Sequence, residues 1–286
     1  MNYRHAFHAG NFADVMKHAV LARILTYLAE KPAPYRVIDT HAGAGVYDLA
    51  GPEAARTGEW RDGIGRLRAA SLDDETRVLL TPYLDAVASF NTGDKLEKYP
   101  GSPAIARAMM RSQDRLVACE LEPQASVALA RSLGRDPRAK AIAIDGWTAL
   151  TAYIPPKERR GLVLIDPPFE QPDEFSKLAN GLEAAHRKWS TGIFMLWYPI
   201  KDDDAVNAFV RKLTRARIAK SLRLDLHLAT AKDENPGLRG SGLIVVNPPW
   251  TLYDEMTMLL PRLAKVLTRN DKTAATVEWL ATEVSR

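Results

Sequence analysis

Short apolar runs that alternate with helical stretches constrain the fold of this chain more than any other feature of its sequence. The runs have the length and composition of buried strands. Strands that alternate with helices favour a parallel sheet covered by helices on both faces. The strand-like runs lie at residues 35–39, 115–119, 141–144, 161–165 and 192–197. We therefore predict an α/β protein built around such a sheet.

Residues that typically begin or end helices define three predicted helices. Asn11 caps the first, over residues 11–31, and a pair of prolines ends it. Ser102 is the predicted cap of the second, with a proline at its first helical position. The third runs over residues 123–133 and ends at Gly134. We expect these helices to cover the sheet.

The carboxyl-terminal part of the chain predicts antiparallel strands. Residues 222–228 and 242–246 lie on either side of a polar turn that contains proline and glycine, which is typical of a terminal hairpin. We expect a further edge strand over residues 276–280.

The segment 50–99 interrupts the alternation of strands and helices. It contains a predicted helix over residues 82–90, capped by Thr81, and no convincing strand. We interpret it as a helical insertion subdomain in a larger domain formed by residues 1–49 and 100–286.

Composition and charge exclude few classes of protein. An apolar fraction of 46% with 26% charged residues is ordinary for a globular chain, and a net charge of +4 permits a polyanionic partner without requiring one. The single cysteine, Cys119, cannot form an internal disulfide, which favours a reducing cytoplasm. The first ten residues lack the apolar core of a secretion signal, and no apolar run is long enough to span a bilayer. We therefore expect a cytoplasmic protein with no membrane partner.

A glycine-containing turn follows the first predicted strand. Asp39 ends that strand, and Gly43 and Gly45 follow with the spacing Gly-x-Gly, which lets a backbone approach a ligand closely. The third glycine of a dinucleotide-binding turn is replaced by Asp48, which argues against a pyrophosphate-binding dehydrogenase. The turn is compatible with S-adenosylmethionine, which has no phosphate, and equally with a bare structural turn.

Acidic residues also follow the next two strands. Glu120 stands where an acid would hold ribose hydroxyls, and the insertion accounts for its long distance from the glycine turn. Asp145, followed by Gly146, stands where an adenine amino group could be held. Each acid alone would more often be a solvated loop residue. Together with Asp39 they favour a nucleoside-containing ligand.

A strand over residues 161–165 leads directly into Asp166-Pro167-Pro168-Phe169. The N6 lone pair of adenine is delocalised into the ring, so the nitrogen is a poor nucleophile. If a carboxylate and a rigid proline carbonyl accept hydrogen bonds from its two N–H groups, the nitrogen becomes more nucleophilic. Phe169 offers a face on which an extruded base can stack. The motif predicts adenine-N6 methyl transfer with Asp166, Pro167 and Phe169 at the catalytic centre, although a plain proline turn remains an alternative.

A second tetrapeptide of the same kind, Asn247-Pro248-Pro249-Trp250, follows another predicted strand. If that strand is the last, antiparallel member of the sheet, its carboxyl end points away from the cofactor. We therefore favour Asp166 over Asn247 as the catalytic position.

Taken together, these segments resemble the bacterial large-subunit ribosomal RNA adenine-N6 methyltransferases of the RlmJ family. The resemblance covers almost the whole chain, and its motifs together are more specific than the catalytic tetrapeptide. They are residues 3–11, Asp14, Lys17-His18, 39–45, 99–103, Asp145-Gly146, 165–169, 196–199 and 247–250.

The resemblance implies a Rossmann-like class I S-adenosylmethionine-dependent methyltransferase with a small helical insertion. It implies contacts to S-adenosylmethionine from Lys17, His18, His41, Gly43, Ser102, Glu120, Asp145, Gly146 and Asp166. It also implies that Tyr3 helps to engage the RNA. One departure is Phe169, where many relatives would have tyrosine. From the residues alone, Lys17 and His18 would be solvated helix residues and His41 an ordinary loop histidine.

The resemblance makes 23S ribosomal RNA the expected partner, bound by a monomer that needs no metal. A DNA adenine-N6 methyltransferase is the alternative, although the insertion is small for a DNA-recognition region. A second alternative is a non-catalytic RNA-binding protein that keeps the fold. As a hypothesis, part of the basic set at residues 157–160, 186–188 and 211–220 contacts RNA phosphates, because of its density near the catalytic half. A solvated helix face explains the 211–220 run equally well.

Overall fold

The computed structural model describes residues 4–228, 238–268 and 274–282. These residues form an eight-stranded sheet flanked by helices, together with a two-stranded ribbon. The α/β fold with a largely parallel sheet is therefore confirmed.

Helices and strands alternate as the sequence predicts. The helices are α1 Phe12–Glu30, α2 Pro52–Thr57, α3 Arg66–Ala69, α4 Asp74–Ala88, α5 Ser102–Met109, α6 Pro123–Leu133, α7 Gly146–Ala152, α8 Glu174–Lys188, α9 Asp203–Ala216 and α10 Leu252–Leu267. The strands are β1 Arg36–Asp39, β2 Val46–Asp48, β3 Lys98–Pro100, β4 Arg115–Cys119, β5 Ala139–Ile142, β6 Gly161–Ile165, β7 Ile193–Ile200, β8 Ser221–His227, β9 Gly240–Val246 and β10 Ala274–Ala281.

The order of strands in the large sheet is β10-β8-β9-β7-β6-β1-β4-β5. The five strands from β7 to β5 run parallel, whereas β9 is antiparallel to both β7 and β8, and β10 is antiparallel to β8. We call the side on which the five parallel strands end the carboxyl edge, and the opposite side the amino edge. Loops at the carboxyl edge of such a sheet are the usual place for a ligand.

Side chains of the central strand β6 alternate between two cores. Leu162 and Leu164 pack into the core beneath α1, α4, α5 and α10, while Val163 and Ile165 pack into the core beneath α8 and α9. Because α1 is enclosed by neighbours, it is buried on nearly all sides, including its charged residues Asp14 and Lys17. This burial places ionisable groups of α1 inside the protein.

Most predicted boundaries agree with the structure. Strands β4 and β6 and helix α6 have the predicted limits, Asn11 caps α1, and the antiparallel β8–β9 pair and the edge strand β10 are present. Other boundaries differ by one to three residues. β5 ends at Ile142, two residues early, and β7 continues to Ile200 because its last residues pair with β9. α5 begins at Ser102, whose hydroxyl donates to Asp39 rather than capping the helix.

The predicted helix at residues 82–90 is wrong in its start and its cap. α4 begins at Asp74, because Asp73 caps it by accepting a hydrogen bond from Thr76 N at 2.9 Å. Pro82 lies inside the helix, where it lacks only the N–H that would bind the carbonyl four residues earlier. Thr81 is an interior residue whose hydroxyl donates to the carbonyl of Arg77.

The expected lack of strand in residues 50–99 is also wrong, since β3 begins at Lys98 and pairs with β2. α4 packs against α1, α5 and α10, so this segment shares the core of the rest of the protein. The division into residues 1–49 and 100–286 on one side and 50–99 on the other stays a prediction. Over the part of the chain that the structure describes, no helix has the length and apolar character needed to cross a membrane.

Candidate active site

A cavity of about 300 Å³ opens at the carboxyl edge of the sheet. It lies where β1, β4 and β6 end, and α1 forms one wall. Ten of the residues predicted as site residues line it: Lys17, His18, His41, Gly43, Ser102, Glu120, Asp145, Gly146, Asp166 and Pro167. Phe169 is not part of the cavity wall, and Tyr3 lies outside the described residues.

Acidic side chains dominate the charge of this cavity. Two cations, Arg4 and Lys17, line it together with five acids. The acids are Glu120, Glu122, Asp145, Asp166 and Glu174. A negatively charged cavity favours a cationic ligand and disfavours a phosphate-bearing one.

Lys17 joins α1 to the end of β6 by two buried ion pairs. Its ammonium Nζ donates to Asp166 Oδ2 at 2.5 Å and lies 2.9 Å from Asp14 Oδ1. Asp14 Oδ2 in turn accepts from the amide of Gly10 and lies 2.9 Å from Nε2 of His5. Because each partner is held by the next, the Asp166 carboxylate has a fixed orientation at the cavity floor.

The charged groups in this network shift one another's pKa values. Burial alone would raise the pKa of Asp14, but the neighbouring His5 and Lys17 outweigh it and hold that pKa well below its usual range. Burial alone would lower the pKa of Lys17, but the Asp14 and Asp166 carboxylates outweigh it and raise that pKa. Lys17 therefore stays a cation and Asp14 an anion at neutral pH.

His18 lies beside Lys17 on α1 and lines the same cavity. Burial lowers its pKa to about 3, so its ring is neutral at physiological pH. Its Nδ1 lies 2.7 Å from the hydroxyl of Tyr99, which lies 3.0 Å from the hydroxyl of Tyr83 on α4. A buried chain of polar groups thus connects the cavity with α4, in the segment 50–99.

The glycine turn after β1 is tied to the end of β4. The amide of Gly43 donates to Glu120 Oε2 at 2.8 Å, and Glu120 Oε1 accepts from the amide of Glu122. Gly43 has φ +61°, and a Cβ there would lie 2.2 Å from the hydroxyl of Tyr47. Glycine is therefore needed at position 43 both for the backbone conformation and for space.

Asp145 and Gly146 begin α7 at the far side of the cavity. Asp145 Oδ2 caps the helix by accepting from the amide and hydroxyl of Thr148 at 2.8 and 2.9 Å. Its Oδ1 accepts no hydrogen bond from the described residues and is available to a ligand. A Cβ at position 146 would lie 2.4 Å from the carbonyl of Thr40 and 2.5 Å from the ring of His41, so only glycine fits there.

Asp39 lies beneath the cavity floor and is fully buried. Its Oδ2 accepts from the hydroxyl of Ser102 at 2.6 Å, whereas its Oδ1 has no hydrogen-bond partner within the described ranges. Burial raises the pKa of this carboxyl to about 7, although the bond from Ser102 works in the opposite direction. Asp39 links β1 to α5 and acts as a structural support.

The residues of the tetrapeptide after β6 lie partly in the cavity wall and partly at its rim. Asp166, Pro167 and Pro168 line the cavity, and Phe169 follows with a left-handed φ of 51°. The half-buried Phe169 ring packs edge-on against Phe175 and Trp197, with centroids 4.9 and 5.7 Å apart. Its role in stacking a base stays a prediction.

The second tetrapeptide lies at the amino edge, because β9 runs antiparallel to β7. The side chain of Asn247 donates to the carbonyls of Ser190 and Gly192, just before β7 begins. Trp250 is exposed there. Asn247 therefore lies at the opposite end of the sheet from the cavity, as its strand direction predicted.

The basic set at residues 157–160, 186–188 and 211–220 also lies toward the amino edge. These residues precede β6, β7 and β8, which all run in the same direction. The set is dense near the catalytic half of the sequence, but in the structure it lies at the opposite edge of the sheet from the cavity. A contact with RNA phosphates at this edge stays a hypothesis.

Three groups of this site had little or no role in the sequence analysis: His5, Asp14 and the pair Tyr83–Tyr99. Asp14, Lys17 and His18 follow the i, i+3, i+4 spacing that puts side chains on one helix face, so a shared polar face was a usable signal. The tyrosine pair had no such signal, because its contacts join distant segments. Among the residues that the structure describes, no cluster of histidine, cysteine, aspartate and glutamate could hold a metal ion.

A family model described as "Ribosomal RNA large subunit methyltransferase D, RlmJ" matches residues 32–281. The chain is 40% identical over 283 residues to "Ribosomal RNA large subunit methyltransferase J" of Escherichia coli (strain K12), covering 99% of this chain and all of that protein. It is 38% identical over 285 residues to the protein of the same name from Haemophilus influenzae, with coverage of 99% and 100%. The crystal structure of protein LPL1258 from Legionella pneumophila has a TM-score of 0.86 at 35% identity and covers 95% of this chain and 98% of that one.

Proposed function

We propose, since this chain belongs to the RlmJ family of ribosomal RNA large subunit methyltransferases, that it methylates the exocyclic N6 of an adenosine in 23S ribosomal RNA. Methyl transfer and the use of S-adenosylmethionine come with the family. The proposal adds the target atom and the roles of individual residues. The observation that carries it is the Asp166 carboxylate, fixed by Lys17 at the cavity floor and followed by two prolines.

The residues of the cavity fit S-adenosylmethionine. The excess of acids over cations suits its positively charged sulfur, and Gly43 and Gly146 leave space that a Cβ would fill. We assign the ribose hydroxyls to Glu120, at the end of β4, and the adenine amino group to Asp145, whose Oδ1 is available. His18 and His41 add neutral imidazoles to the wall.

When bound, S-adenosylmethionine supplies a methyl group on a positively charged sulfur. An amine nitrogen in line with the carbon–sulfur bond can take that methyl group. In such a transfer N6 would gain the methyl group, the sulfur would leave as a neutral thioether with the electrons of the carbon–sulfur bond, and one N6 proton would pass to water. The task of the protein is to align nitrogen, carbon and sulfur and to make the N6 lone pair available.

We assign that task to Asp166. Lys17 occupies its Oδ2, while Oδ1 accepts no hydrogen bond from the described residues and can accept one from N6–H. Pro167 and Pro168 have restricted φ angles, so their carbonyls form a rigid second acceptor position. When both N–H groups donate hydrogen bonds to these acceptors, the nitrogen becomes more pyramidal and its lone pair can be directed at the methyl group.

We assign the binding of the target base to Phe169, at the cavity rim. Its ring is supported edge-on by Phe175 and Trp197, which leaves the ring position well defined. An adenine extruded from an RNA helix or loop can stack on such a ring while its N6 enters the cavity. We keep Tyr3 as a further contact to the RNA.

RNA rather than DNA is the proposed polymer, since the relatives are named as ribosomal RNA methyltransferases and the insertion is small for DNA recognition. A non-catalytic RNA-binding protein with this fold is disfavoured because Asp166, Glu120 and Asp145 all line the cavity. A monomeric state and a cytoplasmic location stay predictions.

The experiment that tests this proposal measures transfer of labelled methyl from S-adenosylmethionine to protein-free ribosomal RNA and to duplex DNA, with nucleoside analysis of the product. We expect N6-methyladenosine from the RNA alone. Label in DNA alone would establish the alternative polymer, and label on another base or atom would refute the proposed role of Asp166 as the N6 acceptor.

Two variants locate the reaction centre. Asp166→Ala removes the N6 acceptor and should abolish transfer, while Lys17 keeps its ion pair with Asp14 and the protein stays folded. Asn247→Ala changes the corresponding tetrapeptide at the amino edge and should leave transfer intact. Full activity of a folded Asp166→Ala protein would move the reaction centre elsewhere.

A further inference from the structure

Glu174, in the first turn of α8, differs from the other acids that line the cavity. Those acids each accept a hydrogen bond of 2.8 Å or less from the protein; they are Glu120, Glu122, Asp145 and Asp166. Glu174 accepts one longer bond, from the amide of Gln171 to its Oε2 at 3.3 Å. Its Oε1 accepts none from the residues that the structure describes. Glu174 is therefore the cavity acid that the protein itself satisfies least.

The carboxyl group of Glu174 is buried although it lines the cavity, with only 5% of the residue exposed. Burial raises the pKa of this carboxyl, and the bond from Gln171 offsets that effect only in part. A buried carboxyl oxygen without a hydrogen-bond donor is costly. Its position in the wall of a binding cavity is explained if the ligand supplies the donor.

The helix face that carries Glu174 is turned toward α7. Gly181 lies seven residues further along α8, on the same face. A Cβ at position 181 would lie 3.2 Å from the ring of Trp147, which belongs to α7. Trp147 lines the cavity, as does Asp145, which caps α7. Glu174 therefore faces the side of the cavity that Asp145 occupies.

The next residue, Phe175, faces the other side of the site. Its ring packs edge-on against Phe169, with 4.9 Å between the centroids, and Phe169 is the residue to which we assign the target base. Consecutive residues of a helix differ in direction by about 100°, so Glu174 and Phe175 face different parts of the site. Two adenines take part in the reaction, and the side of Glu174 is that of the cofactor's adenine.

We propose that Glu174 is a specificity-determining residue whose Oε1 accepts the second N–H of the cofactor's adenine amino group, the first being bound by Asp145. An adenine amino group carries two N–H donors, and each is costly to bury without an acceptor. The assignment rests on the cofactor and on the role of Asp145 in the proposed function. It predicts a preference for adenine over hypoxanthine, which has a carbonyl oxygen in place of the amino group.

Calorimetric binding of two ligands tests the assignment without RNA. S-adenosylhomocysteine carries the amino group, whereas S-inosylhomocysteine carries the carbonyl oxygen. Glu174→Met should weaken binding of the first about tenfold and should not weaken binding of the second, because only the first has an N–H to lose its acceptor. Equal weakening of both ligands, or unchanged binding of S-adenosylhomocysteine, in a folded variant would overturn the proposal.

Two further variants separate the hydrogen bond from other effects of the substitution. Glu174→Gln keeps an acceptor oxygen and should retain affinity for S-adenosylhomocysteine within about threefold. Glu183→Met removes an exposed acid of the same helix, paired with Arg187, and should leave both affinities within about twofold. A tenfold loss in Glu174→Gln would show that the charge of the side chain matters rather than its acceptor atom, and would contradict the assignment.

A third ligand tests the wild-type protein and needs no variant to fold. S-(N6-methyladenosyl)homocysteine has a methyl group in place of one amino hydrogen, so Asp145 and Glu174 cannot both receive a hydrogen bond from it. We expect it to bind about tenfold more weakly than S-adenosylhomocysteine, and equal affinities would refute the second acceptor. No binding of S-adenosylhomocysteine at all would refute the cofactor and this assignment with it. Methylation of another RNA atom would refute only the proposed target and leave these affinities unchanged.

Discussion

Lys17 and Asp166 are 149 positions apart in the sequence, yet Nζ of the first lies 2.5 Å from Oδ2 of the second. The contact joins α1 to the end of β6 and sets the orientation of the carboxylate that we place at the reaction centre. With Asp14 on its other side, Lys17 is a buried cation between two anions. Such a cation supports the fold and the site at once, because its removal leaves two carboxylates without their partner.

Lys17→Met should therefore lose both stability and activity. We expect a loss of about 3–5 kcal/mol in the free energy of unfolding, the usual cost of removing one partner of a buried ion pair. Urea unfolding measures it, and single-turnover methylation should fall on the order of a hundredfold or more as Asp166 loses its orientation. The control is Lys177→Met, which breaks an exposed ion pair with Asp173 and should cost no more than about 1 kcal/mol. Equal effects of the two variants would contradict the role of Lys17.

Gly43→Ala should lower cofactor affinity, and Gly93→Ala is its matched control. Both glycines have φ +61°, so alanine costs similar backbone strain at each, about 1 kcal/mol. A Cβ at position 43 would lie 2.2 Å from the hydroxyl of Tyr47, whereas at position 93 it would meet no atom within 4 Å. We expect binding of S-adenosylhomocysteine, measured by calorimetry, to weaken about tenfold for Gly43→Ala only. Unchanged binding by Gly43→Ala would remove the glycine turn from the cofactor site.

His18 and Asp39 should give opposite contributions to the pH dependence of stability. The pKa of His18 falls from its ordinary 6.5 to about 3, so between those values the unfolded chain binds one more proton and stability rises with pH. The pKa of Asp39 rises from 3.8 to about 7, so in that interval the folded protein binds one more proton and stability falls with pH. The two contributions oppose each other between about pH 4 and 6.5.

Single variants should reveal each contribution. In urea unfolding measured from pH 4.5 to pH 6, Asp39→Asn should make the slope of unfolding free energy against pH more positive by about 1.4 kcal/mol per pH unit. His18→Gln should make the same slope more negative by a similar amount, so each variant controls for the other. Parallel slopes in all three proteins would mean that these two groups titrate alike in the folded and unfolded states.

Phe169→Ala should weaken recognition of the target base and spare the cofactor. Stacking of one base on an aromatic ring contributes roughly 1–3 kcal/mol, so kcat/KM for RNA should fall by about tenfold to a hundredfold. Phe169→Tyr keeps the ring and should retain activity. Binding of S-adenosylhomocysteine should be the same in all three proteins, because Phe169 is not part of the cavity wall. A loss of cofactor affinity in Phe169→Ala would show that the ring supports the cavity instead.

Charge reversal at the amino edge tests whether RNA reaches the far side of the protein. β6 has five residues and spans roughly 16 Å, about two Debye lengths at physiological salt. Arg215→Glu with Arg217→Glu should therefore change methylation of a short RNA fragment by less than about twofold. A large loss of RNA affinity with a reduced salt dependence would instead establish phosphate contacts at that edge.

The sequence predicted those parts of the fold and site that depend on local patterns. The limits of β4, β6 and α6 and the acids that follow the strands come from runs and caps within a few residues. The start of α4 is not predicted correctly because Pro82 resembles a helix boundary, whereas the stronger cap of Asp73 lies further upstream. The position of the basic residues could have been predicted, since residues that precede parallel strands lie opposite those that follow them.

Contacts between distant segments were beyond local patterns. Nothing near Tyr83 or Tyr99 indicates that their hydroxyls meet each other and His18. The contact of Lys17 with Asp166 likewise depends on how α1 packs against the sheet, which only the tertiary structure fixes. The family resemblance named Lys17 as a cofactor contact, while the geometry favours a role in holding Asp166.

The burial of α1 has a consequence for when this helix can be packed during synthesis. This helix is synthesised first, but it packs against α10 and β9, which are among the last elements to be synthesised. A nascent chain that lacks α10 leaves Arg23 of α1 without Glu255, its ion-pair partner. The packing of α1 is therefore complete only after α10 has been synthesised.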